Sequence, residues 1–299
     1  MDDVLSWKQL PNMRPVNDAE TKLGLRKAAA PGFKRLRLTL SYCGTPWRGW
    51  QGQESGDGIQ DVFQESVLKA TGFEVKVHGS GRTDAGVHAY GQVAHVDVPD
   101  SIRMNAVAWR KALNACLPLS IRVTDLQFAD DHFHARFDAV GKTYRYRIWR
   151  PQLLSPFEAD RAWHIYGPLD MQALHNCAQK LVGTHNFVRL SANRGDMPEE
   201  KRRALPEKTT RTIHRAEISE TDDVIQLEFE GDGFLYKMVR MIVGSLMQVA
   251  RGRASTAWFS DLLSRSDGPQ THQTAPACGL YLMHVSYPGE ARLESKFCT

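Results

Sequence analysis

The stretch from Gly79 to Val98, GSGRTDAGVHAYGQVAHVDV, limits the fold more tightly than any other part of the chain. Gly79, Gly81, Gly86 and Gly91 surround Arg82-Thr83-Asp84. Glycine bends backbone through φ > 0 or admits a close neighbour, so this density reads as a shaped loop that presents an arginine and a carboxylate. The apolar-alternating Phe73-Glu74-Val75-Lys76-Val77 leads in and a strand-like pattern ending in Val96-Asp97-Val98 leads out, so the loop is expected between two strands. Asp84 alone has a plain structural reading, the closing residue of an Asx-turn. Its company supports a chemical one.

Around this loop the pattern alternates between strand and helix. Leu36, Leu38 and Leu40 share one face of a strand over 33–42, and Ile59, Val62, Phe63, Val67 and Ala70 have helical spacing. A second helix is expected over about 104–117, before Pro118, and a strand over 121–129. The order is β-α-β-β-α-β. The second half repeats it: Tyr144, Tyr146 and Ile148 on one strand face, a helix over 171–182 capped by Asp170 and closed by Gly183, paired strands over 211–219 and 224–230, a long helix over 234–250, a shorter one over 257–264 and a last strand over 280–287. The expected class is α+β, two ferredoxin-like units with antiparallel or mixed sheets flanking a central cleft. Their expected bounds are 32–135 and 136–290, with a flexible extension over 1–31 and a tail over 291–299.

At 299 residues and 42% apolar content the chain can bury two ordinary cores. A net charge of +4 is small for that length, so a surface for a polyanion has to come from segregated charge. Five cysteines without CxxC spacing speak against a zinc ribbon or a disulfide framework and fit a reducing cytoplasm. The N-terminus carries Asp2 and Asp3 and no apolar h-region, and the longest apolar run, 234–250, is broken by Lys237 and Arg240, so neither a secretory signal nor a membrane span is expected. His132-Phe133-His134 alternates on a strand-like segment with no further ligand at zinc spacing, and no P-loop or dinucleotide fingerprint is present.

The string Gly81-Arg82-Thr83-Asp84-Ala85-Gly86-Val87-His88-Ala89 closely resembles the signature of the TruA family of tRNA pseudouridine synthases. Gly49-Trp50-Gln51-Gly52-Gln53, Phe133-His134-Ala135-Arg136, Lys142-Thr143-Tyr144-Arg145-Tyr146, Phe234-Leu235-Tyr236-Lys237-Met238-Val239-Arg240 and Gly279-Leu280-Tyr281-Leu282 follow the same family order, so the resemblance covers about residues 33–288. It implies a cofactor-free homodimer that isomerises uridines 38, 39 and 40 in the anticodon stem-loop of tRNA. That reaction breaks the C1′–N1 bond, turns the base over and rejoins it through C5. It needs an ionised carboxylate, a cation that keeps it so, a stacking surface and a route for the C5 proton.

By resemblance Asp84 is the catalytic carboxylate, whether it attacks C6, attacks C1′ or removes a sugar proton. Arg240 is the cation that pairs with it, a role the bidentate preference of arginine for carboxylates supports. Tyr144 stacks on the target base, although a strand tyrosine also packs cores without any function. Arg82 reaches toward a phosphate or toward the gap left by the flipped base. Leu280 and Leu282 either floor the uracil pocket or simply end a core strand. Arg35, Arg37, Arg145, Arg147, Arg150, Arg211 and Arg215 read together as a basic track for structured RNA. The charged stretch 191–209 reads as a solvated loop or as a mobile flap that touches RNA. Two other functions fit the same chain: a relative that modifies different tRNA uridines, and a non-catalytic tRNA-binding or chaperone protein. No RRM-type aromatic run supports the latter.

Overall fold

The computed structural model describes residues 27–52, 55–195 and 198–290, so most of the expected extension and all of the tail lie outside the described residues. The chain divides into two compact units, one running to Ala139 and resuming at Val285, the other Val140–His284. Both mix helices with strands whose pairings are almost all antiparallel, which makes the protein α+β.

In the first unit β1 (Phe33–Tyr42), α1 (Ile59–Thr71), β2 (His78–Gly79), β3 (His88–Pro99), α2 (Ala106–Cys116) and β4 (Ile121–Phe128) follow one another, and the strands lie in the order β4-β1-β3, with β2 also pairing with β3. Leu36, Leu38 and Leu40 are fully buried, as are Phe63, Trp109 and Leu113 of the two helices. The segment 73–77 is not a strand; only His78 and Gly79 pair, opposite His95 and Ala94. Gln60 and Gln64 account for that, since their side chains bond the backbone C=O and N–H of Val77 and so replace a strand partner. Residues 27–30 are tied down as well, through Ala29 N–H to Asp131 C=O (3.0 Å) and Arg35 to Lys27 C=O (3.2 Å). The returning segment closes the unit: Tyr287 Oη donates to Ala135 C=O (2.6 Å) and Glu290 pairs with Arg37 (2.5 Å).

In the second unit β5 (Gly141–Trp149), β6 (Trp163–His164), α3 (Met171–Gln179), β7 (Gly183–Asn186), α4 (Glu199–Ala204), α5 (Pro206–Thr209), β8 (Thr210–Glu220), β9 (Val224–Gly231), α6 (Met238–Ala250), α7 (Thr256–Ser264) and β10 (Leu280–Ser286) occur in turn. The strand order is β10-β5-β9-β8-β7, with β6 parallel to β5. Tyr144, Tyr146 and Ile148 stand opposite Phe229, Leu227 and Ile225 on one apolar face, and Ile242, Val243, Leu246 and Met247 of α6 are fully buried. Asp170 caps α3 through Ala173 N–H (2.8 Å) as expected, but the helix ends at Gln179, and Gly183 instead opens β7 with φ 117°. The long helix begins at Met238 rather than Phe234, because Lys237 takes a left-handed conformation (φ 57°) that no α-helix can pass through.

The charged stretch 191–209 is folded where described. Arg202 is buried and donates to Ser191 C=O (2.9 Å), Arg203 reaches Gly268 C=O (2.9 Å), and Arg189 beside them holds Asp261 (2.8 Å). Arg202 and Arg203 serve as internal staples, a use that composition alone does not show.

Candidate active site

The Asp84 loop is built from buried polar struts. Ser80 Oγ donates to Gln92 Oε1 (2.7 Å), and Gln92 Nε2 donates to Gly81 C=O (2.9 Å). Thr83 Oγ1 lies 2.9 Å from Tyr42 Oη, and Thr83 C=O accepts from Trp50 N–H (3.1 Å). Burial pushes the Tyr42 phenol up to about 12, so it remains a neutral hydroxyl across the working pH range. Ser80, Thr83 and Gln92 are all buried, whereas Asp84 is half-buried and Arg82 exposed. The loop is therefore anchored from within on both sides of a carboxylate that solvent can reach.

Residues 44–50 form the outer wall of this loop. Gly86 N–H donates to Trp47 C=O (3.3 Å), and Gly44 N–H donates to His88 Nδ1 (3.1 Å). Gly49 has φ 93°, and a Cβ there would lie 2.5 Å from Thr83 O and 3.0 Å from Asp84 C. Gly79 meets the Trp50 ring at 2.5 Å in the same sense. Gly49→Ala is expected to destabilise the fold by about 1–3 kcal/mol, since backbone strain and a backbone clash act together. Thermal unfolding that leaves Tm unchanged would contradict this packing.

The remaining candidates belong to the second unit. Tyr144 on β5 is 9% exposed and packs edge-to-face on Phe234, with centroids 5.0 Å apart at 79°. Arg240 sits in the first turn of α6; its Nε donates to Ala275 C=O (2.8 Å) and Ala275 N–H donates to Arg240 C=O (3.0 Å). Gly244, one turn on, lets the helix approach this segment, since a Cβ there would lie 2.6 Å from Gln273 C. Leu280 and Leu282 are buried at the start of β10, next to Gly279, whose missing Cβ makes room for the Tyr146 ring at 2.6 Å. Tyr146 Oη donates to Pro276 C=O (2.8 Å), which fixes the turn before β10. Arg82 and Asp84 thus lie in one unit, and Tyr144, Arg240, Leu280 and Leu282 in the other.

Several sequence expectations need correction. The basic track is largely neutralised: Arg35 pairs with Asp97 (2.7 Å), Arg37 with Glu290, Arg145 with Glu228 (2.9 Å), Arg147 with Glu158 (2.8 Å), and Arg215 with Glu217, Glu228 and Glu230. Arg35, Arg145 and Arg215 stand opposite Asp97, Glu228 and Glu230 on neighbouring strands, a cation-to-anion register that a list of arginines does not show. His132-Phe133-His134 lies in a turn rather than a strand, and no metal-binding cluster occurs among the described residues. Residues missed in sequence are the struts Tyr42 and Gln92 and the stacking partner Phe234. Only Phe234 carried a signal, its place in the motif that ends at Arg240.

Comparisons with known proteins converge on one family. A family model described as tRNA pseudouridine synthase matches residues 39–138 and 177–288. A protein of Akkermansia muciniphila named tRNA pseudouridine synthase A is 41% identical over 261 residues, 86% of this chain and 96% of that protein. Proteins of the same name from Solidesulfovibrio magneticus (41% over 266 residues, 87% and 94%) and Geobacillus kaustophilus (39% over 264 residues, 88% and 98%) match equally broadly. With the Gly-Arg-Thr-Asp loop and the Arg240 helix both inside the residues of the family model, and relatives this similar over most of the chain, the chain belongs to the tRNA pseudouridine synthase family.

Proposed function

We propose that this protein converts uridines 38, 39 and 40 in the anticodon stem-loop of tRNA to pseudouridine, with Asp84 as the catalytic carboxylate acting on a flipped base. The observation that carries the proposal is the strutted loop: buried Ser80, Thr83 and Gln92 spend their hydrogen bonds on holding a reachable aspartate in place. Preorganisation of that kind matches a site that must meet one nucleotide in one geometry. Arg240 supplies the cation that keeps the carboxylate ionised while the base excludes water, and Tyr144, its ring already set by Phe234, stacks on the uracil. Arg82, exposed two residues before Asp84, contacts the backbone that the flipped nucleotide leaves behind. Leu280 and Leu282 give the pocket an apolar floor. The chemistry is an isomerisation and takes no external group.

The strand orders β4-β1-β3-β2 and β10-β5-β9-β8 support reading the two units as ferredoxin-like repeats, with domains near 32–135 and 136–290. A homodimer and a cytoplasmic location complete the proposal. Free Cys43, Cys116, Cys177 and Cys278 suit a reducing compartment, and among the described residues no helix is long and apolar enough to cross a membrane.

Incubation of the protein with bulk unmodified tRNA, followed by position-by-position mapping, tests the assignment. Pseudouridine at 38–40 is the expected result. Pseudouridine confined to other positions replaces the site assignment with the alternative target, and tRNA binding without any pseudouridine leaves only a binding protein.

A further inference from the structure

Residues 191–195 and the turn before α6 meet around one aromatic ring. Ala192 N–H donates to Tyr236 C=O (2.9 Å), which sets the start of the charged stretch beside that turn. The Arg194 guanidinium then lies over the Tyr236 ring, 4.8 Å from its centroid, and Lys237 Nζ lies 5.2 Å from the same centroid. Two like charges therefore share one ring. Neither has a carboxylate partner among the described residues, in contrast to Arg145, Arg147, Arg189 and Arg215 of the same unit.

Lys237 is a costly choice at its position. It is the one non-glycine residue with positive φ among the described residues, and glycine or asparagine would take φ 57° with less strain. That strained backbone angle sets the lysine whose ammonium lies on the Tyr236 ring. The same short segment carries Phe234, which packs on Tyr144. Lys237 thus sits three residues along the chain from Phe234, the group that orients the proposed base-stacking tyrosine.

We infer that Arg194 and Lys237, held on the Tyr236 ring, form a clamp for the phosphodiester backbone of the tRNA strand beside the target nucleotide. This rests on the proposed tRNA substrate. Phosphate oxygens complement both cations at once, and the shared ring holds the two charges at one place.

The test uses the full chain and an unmodified tRNA transcript. Lys237→Met and Arg194→Met are each expected to weaken tRNA binding about 3- to 10-fold near 0.1 M salt and to lower the slope of log K against log salt by about 0.7 to 1. KM should rise while kcat at saturating tRNA changes by less than about twofold. Lys237→Gly separates charge from backbone: Tm should hold or rise, because glycine accepts the left-handed turn, while affinity falls as in Lys237→Met. Tyr236→Leu should weaken binding, and adding Lys237→Met to it should cost less than in the wild type, because the ring positions the lysine. Unchanged affinity and salt slope in both methionine variants, with wild-type tRNA modification intact, overturns the clamp and leaves the enzyme assignment standing. A wild-type chain that bound no tRNA would overturn both.

Discussion

Asp84→Asn is expected to bind tRNA with affinity within about threefold of the wild type and to form no measurable pseudouridine, a loss on the order of 10³-fold or more in kcat. Asparagine keeps the shape and the hydrogen-bonding reach of the side chain, so the loop should survive on its struts through Ser80, Thr83, Gln92 and Tyr42. Removing a negative charge from a surface that meets a polyanion does not weaken the encounter. What disappears is the anionic oxygen that every version of the mechanism requires. Release of tritium from a C5-labelled uridine substrate measures this directly, and turnover by Asp84→Asn at even a tenth of the wild-type rate would remove Asp84 from the mechanism. Arg240→Met offers a second view: turnover should fall by about tenfold or more while tRNA affinity and Tm hold, if the guanidinium serves the chemistry. A Tm that falls with turnover kept would assign Arg240 to packing against Ala275 instead.

The loop was legible because glycines are backbone statements. Gly49, Gly79 and Gly86 are required by positive φ or by close approach, and a stretch dense in them announces a shaped turn before any partner is known. Strands and helices with clear periods, such as Leu36-Leu38-Leu40 and the Ile59 helix, were equally legible. Segment 73–77 was not, since its alternation is real but glutamines of α1 occupy its backbone. Nor was the start of α6, where periodicity runs unbroken through Lys237 and only the dihedral shows the break. The arginines misled for a related reason. A charge count sees each cation, whereas Arg145, Arg147 and Arg215 are paired by cross-strand register or by a loop that folds back, neither of which exists until the sheet does.

A loss of stability in mild acid, of about 3–4 kcal/mol between pH 7 and pH 5, is expected from three histidines packed together in the first unit. His78 stacks on His95 with centroids 5.0 Å apart, and His134 approaches them at 5.7 and 4.6 Å. His95 Nδ1 accepts Ala135 N–H (3.1 Å) and His134 Nδ1 accepts Arg136 N–H (3.1 Å), so both rings are held as neutral acceptors. Burial, aided by the charges of Lys76, Arg35 and Arg136 and only partly opposed by Asp97 and Asp138, pushes His78 and His134 down to about 4 and His95 down to about 2. The unfolded chain protonates near 6.5, so it binds more protons than the native state as soon as pH falls below that value. Stability is therefore complete above about pH 6.5 and declines toward pH 4. At pH 5 each unshielded ring is worth about 2 kcal/mol, and the half-open position of His134 and the coupling among the rings reduce the sum. Urea unfolding at pH 7.5, 6 and 5 measures the slope. His95→Asn, whose Oδ1 can still accept Ala135 N–H but does not titrate, should flatten it by about a third. A wild-type slope near zero would mean that the rings take up protons in place. Because His78 directly precedes Gly79 and the loop that carries Asp84, the same protonation should loosen that loop first, so activity is expected to fail at a higher pH than the fold.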